Sequence, residues 1–225
     1  MLRRAAAIAG KDLRLSVGGG QGLVQAMLLG LLLIFLFSLS RPTGELVSGQ
    51  AAAAIFWLAS AFGLVLVFND LFSLEEVGGC RLGLLSSPVP EHSVWLGKGL
   101  AGFLLLVLSQ MVFLPAAAVF LGQDIRGSVP TLVLALIGVD WGLAALGALL
   151  GALAQGQAAR ESLFSVILFP LLLPVLLGGI RIFAGVFSGE PAADEALWAA
   201  IIVAFDAVFS AAGAFLFPFL YTGEE

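Results

Sequence analysis

The sequence contains few of the residues that soluble catalytic or disulfide-bonded domains need. Its 225 residues include one cysteine and one histidine. An intrachain disulfide needs two cysteines, and a closed zinc site needs four ligands drawn mainly from these two residue types. Charged residues make up 11% of the chain, whereas soluble domains carry roughly 25%. The composition therefore excludes a disulfide framework and a cysteine–histidine metal centre.

A nucleotide-binding P-loop is also missing from the sequence. That motif needs two glycines separated by four residues and followed by Lys and Ser or Thr. Around Gly97-Lys98-Gly99, His92 stands where the first glycine should be, and Gly99 replaces the Ser or Thr. The histidine has no evident nucleophile to activate. We therefore predict no enzyme activity in this chain and no resident metal, so that a partner would supply any ATP hydrolysis.

Long apolar runs fill most of the chain. A helix needs about 20 mostly apolar residues to cross the hydrocarbon core of a bilayer. Six runs are long enough: Gln21–Ser40, Ala51–Phe68, Val94–Leu121, Val129–Ala154, Leu163–Phe187 and Leu197–Leu220. We predict an all-α, polytopic membrane protein in which residues 18–225 form a single domain of six transmembrane helices.

Residues 1–17 predict an amphipathic helix that lies on the cytoplasmic surface of the membrane. At about 100° per residue, its basic side chains share one narrow stripe and apolar side chains lie opposite. The two sets are Arg3, Arg4, Lys11 and Arg14, and Leu2, Ala6, Ala9 and Leu13. A short basic tail that only fixes orientation is the alternative.

The distribution of Lys and Arg predicts the orientation of the chain. With the N-terminus inside, seven of these residues fall on the cytoplasmic side and three outside, as the positive-inside rule expects. The longest cytoplasmic connection is then 69–93, where polar residues alternate with leucines and a Gly78-Gly79 break follows a short helix. We predict that this loop docks to a cytoplasmic partner through Glu75, Glu76, Leu82, Leu84 and Leu85, the alternative being a solvated linker.

Two carboxylates fall inside predicted spans. Asp140 and Asp206 lie in spans four and six, where an ionised side chain costs about 3 kcal/mol and normally faces the bundle interior. Small residues share the helix face of each, as in closely packed helix pairs. Each residue either lines a polar path for a substrate or is a buried carboxyl group that is hydrogen-bonded within the bundle. Helix kinks are predicted at Pro115, Pro170 and Pro174.

Four groups of short motifs run through the chain in order: Lys11-Asp12-Leu13-Arg14; Gly79-Cys80-Arg81-Leu82-Gly83-Leu84-Leu85-Ser86-Ser87-Pro88 with Leu96-Gly97-Lys98; Ala159-Arg160-Glu161 with the two-proline stretch Leu168–Leu176; and Phe205-Asp206. Together they resemble the haem exporter protein B (CcmB) family. The resemblance adds Gly79, Cys80 and Pro88 to the first cytoplasmic loop, and Arg160 and Glu161 to a second one. Arg81 and Leu82 depart from the Leu-Glu pair that the family shows.

The resemblance implies a six-span ABC-2-type permease, which we expect in the bacterial inner membrane. Six spans and the predicted orientation place both termini in the cytoplasm. Such a subunit works in cytochrome c maturation beside a cytoplasmic ABC ATPase (CcmA-like) and haem-handling membrane subunits (CcmC-like and CcmD-like). We also expect contact with membrane lipid and a homodimer formed with a second copy of the chain. No nucleic-acid partner is implied. Haem would be a transported or handed-over ligand, not a stable cofactor. A non-transporting scaffold and an ABC-2 exporter of another substrate are the alternatives.

Overall fold

A computed structural model describes residues 1–19, 21–40, 47–76, 83, 86, 89–154, 160–192 and 194–222. Within these residues the chain forms seven helices, which we number α1 to α7. They are α1 (Leu2–Gly19), α2 (Gln21–Leu39), α3 (Gly49–Glu76), α4 (Glu91–Leu121), α5 (Val129–Ala154), α6 (Arg160–Ser188) and α7 (Glu195–Thr222).

Helices α2 to α7 are each long and apolar enough to cross a membrane, with mean hydropathies between 2.1 and 2.4. The predicted all-α architecture with six spans is therefore confirmed. The boundaries differ most at α3, which continues past Phe68 to Glu76. Its polar residues there alternate with Leu71 and Phe72, which are fully buried. The extension is thus an amphipathic end of the span, and the connection that we predicted to begin at residue 69 begins after Glu76.

The centre of the bundle is built from α3, α4 and α5. Helix α2 packs against α3 and α4, α6 against α3 and α5, and α7 against α5, α6 and α4. Helix α5 is buried from Gly142 to Ala152, because its glycines and alanines let neighbouring helices approach closely. A methyl group at Gly147 or Gly151 would collide with the rings of Phe68 and Phe72 on α3. The small residues of α5 therefore leave the space in which aromatic rings of α3 pack.

The bundle has two distinct ends. At one end, which we call the α1 end, α1 packs along α4. At the other, which we call the opposite end, backbone groups tie the connections together. The amides of Arg126 and Gly127 both donate to the carbonyl of Val186, at 3.1 and 2.8 Å. The Gln123 side chain donates to the carbonyl of Val47 at 2.9 Å.

Large apolar side chains also cover much of the outside of the bundle. Leu28 and Leu32 on α2, and Phe215 and Phe219 on α7, are between 51% and 74% exposed. Such faces suit a hydrocarbon environment, where backbone polar groups are satisfied within each helix.

Candidate functional site

The α1 end contains a buried ammonium group. Lys98 lies two turns into α4 and its side chain is 0% exposed. Its Nζ lies 3.1 Å from Asp12 Oδ2 and 2.8 Å from Glu75 Oε1, and it donates to the Leu71 carbonyl at 2.6 Å. Of the three donors of this ammonium group, one is used in the hydrogen bond to Leu71, and its charge is paired with both carboxylates. The ring of Phe72 lies 5.1 Å from the same nitrogen and adds a cation–π contact.

The two carboxylates of this cluster are paired with positive charges, although Asp12 Oδ1, Asp12 Oδ2 and Glu75 Oε1 accept no hydrogen bond from the described residues. Asp12 Oδ1 lies 2.7 Å from Lys11 Nζ, at the edge of the protein. Glu75 Oε2 accepts a hydrogen bond of 3.1 Å from the Tyr221 hydroxyl. Every oxygen of both carboxylates therefore faces a positive or hydrogen-bonding partner. We call Asp12, Glu75, Lys98 and Tyr221 the Lys98 cluster.

The Lys98 cluster joins four helices, because its members come from α1, α3, α4 and α7. Charges removed from water are tolerated only when paired and hydrogen-bonded. Removing one member of a buried ion pair costs about 3–5 kcal/mol, since the other charge is left without a partner. The relative positions of these helices at the α1 end are consequently held by electrostatics as well as by packing.

Helix α1 packs against α4 through a face that only partly overlaps the predicted apolar side, since Ala9 is buried and Leu13 is half-buried. The buried face consists of Ala5, Ile8, Ala9, Asp12 and Ser16. This face is turned toward α4, where Asp12 pairs with Lys98. Ile8 fits into the notch that Gly97 leaves on α4. Leu2, which we predicted on the apolar side, is 75% exposed. Helix α1 thus has three faces: one against α4, one basic, and one apolar and exposed.

A second polar group lies inside the spans. Asp140 on α5 is 0% exposed, and its Oδ1 accepts a 2.7 Å hydrogen bond from Gln110 Nε2 on α4. The same amide donates to Ser60 Oγ at 3.1 Å, and Ser60 donates to the Phe56 carbonyl on α3. Asp140 therefore faces the interior, as expected for a carboxyl group at this depth. Its partner is Gln110 and not the neighbouring Trp141.

Asp206 lies on the α7 face that packs against α5. Its Oδ1 comes within 2.6 Å of the position that a Cβ on Gly142 would occupy. One turn further along α7, Ser210 accepts a 3.0 Å hydrogen bond from Trp141 Nε1. The half-buried Asp206 thus lies at a helix–helix contact. Its buried Oδ1 has no hydrogen-bond partner among the described residues, so the hydrogen bond expected for a buried carboxyl group is not found at this oxygen.

The structure brings together only part of the predicted docking set. Glu75 is 1% exposed and points inward to Lys98, not toward a partner. Gly79, Cys80, Leu82, Leu84, Leu85 and Pro88 lie outside the described residues. Glu76, Arg160 and Glu161 lie in helices, and their side chains are outside the described part. Pro115, Pro170 and Pro174 lie inside α4 and α6.

Sequence reasoning missed the Lys98 cluster, although one signal for it was present. Lys98 is the one charged residue in the run Val94–Leu121, and an ionisable residue in such a run is expected to have a partner. Asp12 and Tyr221 carried no comparable signal. Among the described residues, no three His, Cys, Asp or Glu side chains come together as metal ligands.

Most of the chain is similar in sequence to one family of known proteins. Residues 3–220 match the family model described as CcmB protein. The chain is 31% identical to the Heme exporter protein B of Rhodobacter capsulatus over 117 residues, which are 51% of this chain and 53% of that protein. It is 27% identical to the Heme exporter protein B of Pseudomonas aeruginosa over 174 residues, which are 77% of each chain. The match thus spans about half the length of the first relative.

Proposed function

This chain belongs to the CcmB protein family, and we propose that it is the permease subunit of an ABC-type complex in cytochrome c maturation. In this proposal, a cytoplasmic ABC ATPase (CcmA-like) hydrolyses ATP. The chain couples that hydrolysis to haem export or to release of a haem-loaded chaperone. The proposal matches what the relatives' names state about those proteins.

The observation that carries the proposal is the ion pair between Glu75 and Lys98. Glu75 is one residue from the end of α3, and Lys98 lies two turns into α4. Their 2.8 Å contact therefore joins the two helices close to the ends of the segment that connects them. A force applied to that segment by a partner would act directly on this pair. Through Asp12 and Tyr221 the same pair reaches α1 and α7. The Lys98 cluster is therefore suited to transmit a force on the segment between α3 and α4 to all four helices, so that they move together.

The proposed orientation places the α1 end in the cytoplasm of a bacterium whose inner membrane holds the protein. The basic face of α1 supports this, since Lys and Arg accumulate on the cytoplasmic side. Arg160 and Glu161, at the start of α6, then lie at the same end as the segment between α3 and α4. CcmC-like and CcmD-like membrane subunits, and a second copy of this chain, are the further partners that we propose.

The test separates docking of the ATPase from coupling to it. Changing Leu84 and Leu85 to Asp should abolish co-purification of the ATPase, because apolar side chains at the centre of an interface contribute most of its stability. Glu75→Gln should leave the ATPase bound and lower cytochrome c maturation, because it removes one of the two charges that pair with Lys98 and the one that links α3 to α4. Ile125→Asp makes the same chemical change on an exposed apolar residue at the opposite end and should alter neither readout.

Normal ATPase binding by the Leu84 and Leu85 double variant would show that this segment is not the docking site. Normal maturation by Glu75→Gln, at wild-type protein levels, would show that the ion pair plays no part in coupling. Membrane insertion of every variant is followed by its level in the membrane fraction.

A second candidate function, a non-transporting scaffold of the same complex, is favoured by the packing of the bundle. Along α5, Leu143, Ala144, Ala145 and Leu146 are each 0% exposed, and Gly151 has no room for a methyl group beside Phe72. Inside-out vesicles that contain the complex distinguish the two functions. ATP-dependent accumulation of haem in the lumen indicates transport, whereas release of the chaperone without such accumulation indicates a scaffold.

A further inference from the structure

A cavity of about 500 Å³ lies at the opposite end of the bundle, between the end of α6 and the starts of α3 and α7. Its polar lining consists of Gln50, Arg181, Ser188, Glu190, Asp194 and Trp198. The volume is in the range of small-ligand sites, which are about 300–1,000 Å³. Neither the coupling proposal nor the Lys98 cluster involves these residues.

Arg181 forms one side of the cavity and has no carboxylate partner in the described part of the chain. Its guanidinium carbon lies 5.7 Å from the centre of the Trp198 ring, and its side chain is exposed. Arg181 precedes the end of α6 at Ser188 by seven residues, or about 10 Å at 1.5 Å per residue. A long basic side chain at this depth extends its charge toward the headgroup layer. The guanidinium is thus placed to bind a phosphate by charge-assisted hydrogen bonds.

The other side of the cavity is acidic. Glu190 and Asp194 both line it and are both exposed. The position of Asp194 is fixed, because its carbonyl accepts hydrogen bonds from the Leu197 and Trp198 amides, at 2.8 and 3.1 Å. One cation and two carboxylates around one cavity favour a ligand that carries both signs of charge. A simple anion would be repelled by the carboxylates, and a simple cation by Arg181.

We propose that this cavity binds a phosphate ester with a primary ammonium group, supplied by the headgroup of phosphatidylethanolamine. The phosphate would lie at Arg181 and the ammonium at Glu190 and Asp194, with Trp198 beside the glycerol. A lipid is the source because the cavity adjoins the ends of three spans, and Trp198 beside Arg181 is a residue type enriched at membrane interfaces.

Native mass spectrometry of the full chain, titrated with defined lipids in detergent, tests the proposal. Phosphatidylethanolamine should be retained about five- to tenfold better than phosphatidylcholine, which has no ammonium hydrogens, and than phosphatidylglycerol, which has no cation. Arg181→Gln should weaken retention of all three lipids by a similar factor. Glu190→Gln should reduce the preference for phosphatidylethanolamine over phosphatidylglycerol.

Arg126→Gln is the matched control, because Arg126 lies at the same end but outside the cavity and pairs with Asp124 at 3.2 Å. Equal retention of the three lipids, or equal effects of Arg181→Gln and Arg126→Gln, would overturn the proposal. Displacement of the bound lipid by soluble phosphoethanolamine at the same concentration would also overturn it, by assigning the cavity to a soluble compound. Thermal stability of each variant in detergent shows that the protein remains folded.

Discussion

Replacing Lys98 by Met tests whether the Lys98 cluster holds the α1 end together. Methionine keeps the length of the side chain but removes all three donors. Asp12 Oδ2, Glu75 Oε1 and the Leu71 carbonyl then lose the partner that lies 2.6–3.1 Å away. Breaking a buried pair in this way costs about 3–5 kcal/mol. For a protein of this size, about 2–4 °C per kcal/mol gives a fall in Tm of roughly 10 °C.

Lys11→Met is the matched control for this experiment. Lys11 contacts the same carboxylate, at 2.7 Å from Asp12 Oδ1, but its side chain is 42% exposed. An exposed pair of this kind contributes about 0–1 kcal/mol. Thermal unfolding of both variants in the same detergent should therefore separate them by several degrees. If Lys98→Met loses no more stability than Lys11→Met, the electrostatic account of the α1 end is wrong.

Three further predictions follow from the packing, the polar network and the orientation. Gly151→Ala should destabilise the protein by about 1–3 kcal/mol, because the new methyl group meets the Phe72 ring. Gln110→Leu should cost about 1–3 kcal/mol, since Asp140 Oδ1 and Ser60 Oγ both lose their donor. In a chain whose Cys80 is replaced by Ser, Asp124→Cys should react with an impermeant thiol reagent from outside, and His92→Cys only after the membrane is opened.

The first two of these predictions have controls within the chain. Gly99→Ala adds a methyl group where no atom lies within 4 Å, and it should be neutral or stabilising by up to about 1 kcal/mol. Gln25→Leu changes an exposed glutamine on α2 and should stay within about 0.5 kcal/mol. Equal losses in variant and control would contradict the packing or the hydrogen-bond argument. Labelling of His92→Cys from outside would reverse the proposed orientation.

The sequence allowed the spans to be predicted well, because hydropathy depends on each segment by itself. The six apolar runs correspond to α2 to α7. The end of α3 was predicted less well, since Asn69, Asp70, Ser73 and Glu75 look like loop residues when their partners are unknown. In the structure this stretch is helical, and Glu75 meets a lysine that lies 23 positions later in the chain.

The Lys98 cluster could not be predicted from periodicity, because its members come from four separate helices. The pattern of a single helix shows which side chains share a face, but not which face of another helix they meet. Helix α1 illustrates this limit. Its basic and apolar stripes are visible in the sequence, whereas the face that packs against α4 also contains Asp12, whose partner Lys98 lies 86 positions away.

The participation of Tyr221 also has a consequence for the order of assembly during synthesis. Asp12, Glu75 and Lys98 are all synthesised before α5, α6 and α7, so three members of the cluster can meet before the chain is complete. Glu75 Oε2 gains its hydroxyl partner only when α7 docks, 146 residues after Glu75 itself. The partners of the ion pair are therefore available before Tyr221 is made, and the hydrogen bond from Tyr221 forms only with the last described helix.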